Sequence, residues 1–170
     1  MGQFDQLWAG WRAAYIDSVT SDDPPPLPQG EGSLFERLLA MPDEDAYVLY
    51  RGERCSALLN AYPYTNGHLM VLPNRAIVDL DDLDEHEMAE LWTVVREAVN
   101  ALRRVYRCDG VNVGLNLGTA AGAGLPDHVH VHVVPRWHGD TNFMTAAATT
   151  RVLPEPLDVS WKKLREAWPG

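Results

Sequence analysis

The sequence predicts an α+β domain: an antiparallel, curved β-sheet with one long helix packed on it, and a further helix toward each end of the chain. Three observations predict it. Three short strand-like segments follow one another with turn residues between them. An acid-capped amphipathic stretch comes next, and then two more strand-like segments, the second an alternating histidine–valine run.

The first three segments, 46–50, 55–59 and 68–72, are separated by Arg51-Gly52-Glu53 and by the turn-rich piece 62–67, the pattern of a meander. Pro73-Asn74 closes the third. Asp84 with Glu87 three positions on fits a capping box. Acids crowd the first turn, and Arg103, Arg104 and Arg107 lie toward the end, as the helix dipole favours. Met88, Leu91, Trp92, Val95, Val99, Leu102 and Tyr106 are the expected buried stripe. Asp109-Gly110 ends the helix, and a strand is expected over 111–117. The small-residue loop 118–124 follows, and then the histidine strand through Pro135.

At the flanks, Phe4, Leu7, Trp8, Trp11 and Tyr15 recur at helical spacing, predicting a helix over 4–18. The proline-, acid- and glycine-rich stretch 20–32 reads as a linker, 33–41 as a short helix, and the region of Trp161, Leu164 and Trp168 as a last helix docking on the body. The expected organisation is 1–32 as N-terminal helix and linker, 33–145 as the main domain, and 146–170 as an extension packing on it.

Composition narrows the function. At 170 residues and 46% hydrophobic content the chain can bury one core, and its apolar runs are too short to span a membrane. A net charge of −10 argues against polymeric nucleic acid, although local dipoles can still bind a small anion. Cys55 and Cys108 form no CxxC pair. The first residues lack the basic start and apolar stretch of a signal peptide, so a cytoplasmic location is expected.

On a strand, His128, His130 and His132 share one face while Val129, Val131 and Val133 take the other. Two of the imidazoles could share a metal ion. All three could not readily do so, because the outer pair lies roughly 13 Å apart and zinc needs nitrogens within about 2.1 Å. Phosphoryl transfer suits the spacing better, with a central imidazole attacking phosphorus between neighbours that donate to phosphate oxygens. Attack needs the central ring neutral, its second N–H held by an acceptor such as a backbone carbonyl. A histidine-rich solvated strand is the bland alternative. The loop containing Gly122, Ala123 and Gly124 is small enough for its amides to form an anion nest, and Asn116 could add a side-chain donor.

The run 128–134 (HVHVHVV) with Pro135-Arg136 resembles the motif of the histidine-triad (HIT) superfamily, and 60–73 (NAYPYTNGHLMVLP) is similar to the family segment whose Gly-His begins a strand. The resemblance covers about 46–143. It implies a nucleotidyl-histidine intermediate on His130, with His128 and His132 bracketing the phosphate. It also implies His68 supporting the triad, Asn60 at the ribose, Asn116 beside the scissile phosphate, and a homodimer through the long helix and adjoining strands. Residues 135–143 and Tyr62-Pro63-Tyr64 look most like the bacterial diadenosine tetraphosphate (Ap4A) phosphorylase branch, close to Fhit. The implied function is cleavage of dinucleoside polyphosphates or related nucleotidyl substrates, with water or phosphate as acceptor.

Two departures from that pattern stand out. Many relatives carry a CxxC pair before the first strand and a His after the Pro-x-Arg turn. Here 33–36 has no Cys, and Ala76 stands at the His position. Structural zinc and a required cofactor are therefore not expected, and any divalent cation would arrive with the substrate. Ala123-Gly124-Leu125 also lacks the hydroxyl residue that the phosphorylase branch carries after Gly and hydrolytic relatives carry after Gln. The alternative reading is a nucleotide-binding module with weak or lost catalysis.

Overall fold

Residues 6–8, 28–140, 151–153 and 155–169 are described by the structure, a computed structural model. In chain order its elements are β1 (Gln6–Trp8), α1 (Leu34–Leu39), β2 (Val48–Arg51), β3 (Cys55–Leu59), β4 (Leu69–Pro73), α2 (Glu85–Tyr106), β5 (Gly110–Leu115), β6 (Val131–Arg136), β7 (Arg151–Leu153) and α3 (Leu157–Ala167). Five of the strands form one antiparallel sheet in the order β2-β3-β4-β6-β5. β3 and β4 are buried along their whole length, as strands covered on both faces must be.

One sheet face carries Ala57, Leu59, Leu69, Val71, Val131 and Val133, which pack with Leu91, Val95, Ala98 and Leu102 of α2 and Leu164 of α3. Leu91 and Leu102 are fully buried, each contributing about 1.5–3 kcal/mol of apolar burial. The helix begins at the expected capping box: the Glu87 amide donates to Asp84 Oδ1 at 2.7 Å, and the Asp84 amide donates to Glu87 Oε2 at 2.9 Å. Its buried stripe is rotated from the expected one. Trp92 is 45% exposed, and Val94, Ala98 and Ala101 face the sheet instead, the two alanines being small enough for close approach.

The expected C-terminal helix is present as α3. Trp161 Nε1 donates to Val48 O at 2.8 Å, Arg165 donates to Leu49 O at 2.9 Å, and Trp168 stacks on Tyr50, so the helix is tied along the β2 edge. At the other end of the chain the expectation fails where it can be compared. Gln6–Trp8 is extended and pairs in parallel with Arg151–Leu153, so these residues are strand and not helix. A strand gains inter-chain-segment hydrogen bonds from a distant partner that helical spacing cannot reveal. The rest of the expected 4–18 helix, and most of the expected linker, lie outside the described residues.

The second sheet face holds Val48, Leu58, Met70 and Leu72, covered by Phe35 of α1. His132 pairs with Met70 across the β4–β6 ladder and so stands on this second face, opposite the valines.

Candidate active site

The β4–β6 ladder runs only from Leu69↔Val133 to Val71↔Val131, so of the three alternating histidines only His132 lies within it. Beyond Val131 the chain is held by the last residue of β4 and the segment that follows it. The Val129 amide donates to Ile77 O at 2.6 Å, and His128 Nε2–H donates to Pro73 O at 2.9 Å. His128 and His130 are buried there, 1% and 6% exposed, with Phe35 against both rings at centroid distances of 5.3 and 5.1 Å.

His130 has the arrangement that attack on phosphorus requires. Its Nδ1–H donates to the carbonyl of His128 at 2.8 Å. Because a carbonyl only accepts, the proton is fixed on Nδ1, and Nε2 keeps its lone pair.

A chain of donors fixes its neighbour. The Tyr64 amide donates to His68 Nδ1 at 3.1 Å, so the His68 proton sits on Nε2, 3.0 Å from His132 Nδ1. His132 then carries its own proton on Nε2, where it is a neutral donor. The His130 and His132 rings lie 4.9 Å apart, and the Tyr64 ring covers His68 at 4.5 Å. Burial, and then the adjacent His130, pushes the His132 pKa down to about 4, which keeps it uncharged at neutral pH.

Gly67 presents His68 to this cluster. It sits at φ +77°, and a Cβ there would lie 2.5 Å from Tyr106 Cε2, so both backbone and space require glycine. Asn60, at the end of β3, lies against His68 with Nδ2 at 3.5 Å from both ring nitrogens, while its Oδ1 accepts from the Tyr62 amide at 2.8 Å.

At two of the expected positions the polar groups have partners within the chain. Both nitrogens of His128 are occupied: Nε2–H by Pro73 O, and Nδ1 by the Ser33 hydroxyl at 2.6 Å. The His128 ring is thus held at both nitrogens beside His130, and burial lowers its pKa, which favours the neutral form. In the loop, the Gly122 amide donates to Thr119 O at 3.0 Å and the Ala123 amide to Gly118 O at 3.3 Å. These two amides serve the 3-10 turn into which the 119–121 segment closes. Asn116 reaches over this turn, its Nδ2 4.0 Å from where a Gly122 Cβ would be. Gly124 is exposed, with open space around it.

Ser33, Phe35, the Tyr64 amide and the Pro73 carbonyl were not foreseen. Ser33 alone had a visible signal, the Ser-x-x-Glu pattern over 33–36 that forms a second capping box.

The expected positions for zinc ligands in many relatives are filled here by a hydrogen-bonded set. Ser33 donates to His128, the Ser33 amide donates to Glu36 Oε2 at 2.7 Å, and the Ala76 amide donates to Glu36 Oε1 at 3.1 Å. A hydroxyl, one amide-engaged carboxylate and a doubly bonded imidazole are not a zinc donor set. Among the described residues no group of three His, Cys, Asp or Glu side chains could hold a metal ion.

Residues 42–139, which contain all four clustered histidines, match the HIT domain model. The chain belongs to the HIT family. It is 40% identical over 171 residues to the AP-4-A phosphorylase of Mycobacterium tuberculosis, an alignment covering 99% of this chain and 88% of that one. It is 38% identical over 93 residues to the asymmetrical bis(5'-nucleosyl)-tetraphosphatase of Schizosaccharomyces pombe, covering 55% of this chain and 50% of that one. A zinc-bound histidine triad family protein from Mycobacterium smegmatis superposes with a TM-score of 0.59 at 32% identity, over 71% of this chain and 82% of that one. These matches place the HIT domain on the Ap4A phosphorylase branch and make it a nucleotide hydrolase or transferase, the enzyme rather than the binding module of the two readings. No helix among the described residues is long and apolar enough to cross a membrane.

Proposed function

We propose that this enzyme cleaves dinucleoside polyphosphates such as Ap4A through a nucleotidyl-His130 intermediate. The Nδ1–H bond from His130 to the His128 carbonyl carries the proposal, since it leaves Nε2 as the nucleophilic nitrogen. Nε2 attacks the α-phosphorus of an adenylyl group. The bond to the bridging oxygen breaks, and that oxygen leaves on the remaining nucleotide. His132 Nε2–H, oriented by His68, donates to a non-bridging oxygen as negative charge builds there.

In the second step an acceptor oxygen attacks the same phosphorus and the P–N bond breaks. Phosphate as acceptor yields ADP, and water yields AMP. The name of the M. tuberculosis relative favours phosphate. Asn60 is assigned to the ribose, and Asn116 with the exposed Gly124 stretch to the phosphate chain.

A cytoplasmic homodimer completes the proposal, with 33–145 as the catalytic domain flanked by 1–32 and 146–170. β5 ends the sheet and Val113 on it is 41% exposed, while Trp92 on α2 is 45% exposed, which supports contacts through the long helix and the edge strand. Turnover of Ap4A with and without phosphate, with ADP and AMP separated, tests the reaction. His130→Ala is expected to abolish it, and retention of wild-type turnover by that variant would remove the assignment.

A further inference from the structure

Beneath the nucleophile lies a strut whose members come from three separate parts of the chain. The Pro73 carbonyl can only accept, so His128 must carry its proton on Nε2 and accept at Nδ1. The group donating there is the Ser33 hydroxyl at 2.6 Å. The same oxygen accepts the Glu36 amide at 3.2 Å, so both its capacities are used, and Ser33 is 7% exposed. Glu36 in turn binds the amides of Ser33 and Ala76, coupling the α1 cap to the segment that follows β4. The His128 residue clamped in this way supplies the carbonyl that holds His130 Nδ1–H.

We propose that Ser33 is a positioning residue for the nucleophile. Acting through His128, it sets the acceptor that fixes the tautomer and direction of His130. The proposal rests on the assignment of His130 as nucleophile.

Without the hydroxyl, the buried His128 Nδ1 loses its donor, and the ring is held at Pro73 alone. A buried acceptor without a partner is costly, so the ring tilts to recover one. Its backbone carbonyl moves with it, and the His130 Nδ1–H bond lengthens. His130 then samples the Nε2–H tautomer, which cannot attack. Ser33 touches no reacting atom, so its effect falls on kcat and not on substrate affinity.

Three variants of the full chain separate this role from simple helix capping. Ser33→Thr keeps both the hydroxyl and the cap. Ser33→Gly removes the hydroxyl at a position where glycine still caps acceptably, and Ser33→Ala removes both. With Ap4A as the probe, Ser33→Gly and Ser33→Ala are both expected to lose kcat by about tenfold to hundredfold, with KM within about twofold. Ser33→Thr is expected to retain kcat within about threefold. Thermal midpoints are expected to fall more for Ala than for Gly. Long-range 1H–15N spectra should report a reduced Nδ1–H fraction for His130 in Ser33→Gly.

A Ser33→Gly enzyme with wild-type kcat would overturn the proposal, as would kcat losses that follow the midpoints and spare Gly. An unchanged His130 tautomer in Ser33→Gly would also overturn it, whatever becomes of the Thr variant. His130→Ala in the same assay keeps the two ideas apart. Turnover surviving it removes the nucleophile assignment, whereas loss there with Ser33→Gly at full rate removes only the strut.

Discussion

Replacing Gly67 by alanine tests whether the turn before His68 is built as described. The residue adopts φ +77°, where an L side chain costs roughly 1–2 kcal/mol. The new methyl would lie 2.5 Å from Tyr106 Cε2 and 3.1 Å from Leu102 Cδ2, so something must move. Neither neighbour gives way readily. The Tyr106 hydroxyl donates to Glu155 at 2.7 Å, its ring abuts Trp137, and Leu102 is fully buried. Overpacking of this kind adds about 1–3 kcal/mol. Lower entropy of the unfolded chain returns about 0.4–1 kcal/mol. The net expectation is a loss of about 2–4 kcal/mol, a substantial part of a domain's usual 5–15 kcal/mol.

Urea unfolding of wild type, Gly67→Ala and Gly124→Ala would measure it. The last is the internal control, because a Cβ at Gly124 meets nothing within 4 Å. Its stability is expected to change by less than about 0.5 kcal/mol. A Gly67→Ala protein as stable as the Gly124→Ala control would refute the reasoning.

Three further outcomes follow from the site. His68→Phe keeps a ring but removes the donor to His132 Nδ1, so kcat should fall about tenfold to hundredfold with KM little changed; steady-state kinetics check it. His132 titrates at about 4 when folded and near 6.5 when unfolded, so between those pH values the unfolded chain binds the proton more readily. Its contribution to stability is intact above pH 6.5 and is lost as pH falls toward 4, which urea titrations across that window would register as a falling midpoint. Gly124→Ser places a hydroxyl in open space at the point where the family resemblance leads one to expect it, and should raise phosphate-dependent Ap4A turnover by about tenfold without altering the urea midpoint. An unchanged rate would remove that position from the acceptor step.

Much of this architecture is legible in local patterns because local physics sets it. The capping box at Asp84 and Glu87 and the arginines at the far end delimit α2, and strand alternation puts the valines in the core and His132 on the opposite face. The requirement that a neutral nucleophile hold its second N–H on a carbonyl anticipates the bond from His130 to His128 O. What escapes is set by contacts distant in sequence. His128 looks equivalent to its two neighbours by spacing, yet partners 95 and 55 residues away occupy its nitrogens. The rotated face of α2 depends on which residues the sheet admits, and small alanines win over Trp92. The small residues of 118–124 permit both an open nest and a self-bonded turn, and composition does not choose between them.

The most direct test of the central claim is to catch the intermediate. Rapid-quench mixing of the enzyme with Ap4A, followed by peptide mass analysis, should find an adenylyl group on His130 at the rate of the first turnover. Turnover without any adduct, or an adduct on His128 or His132, would contradict the account.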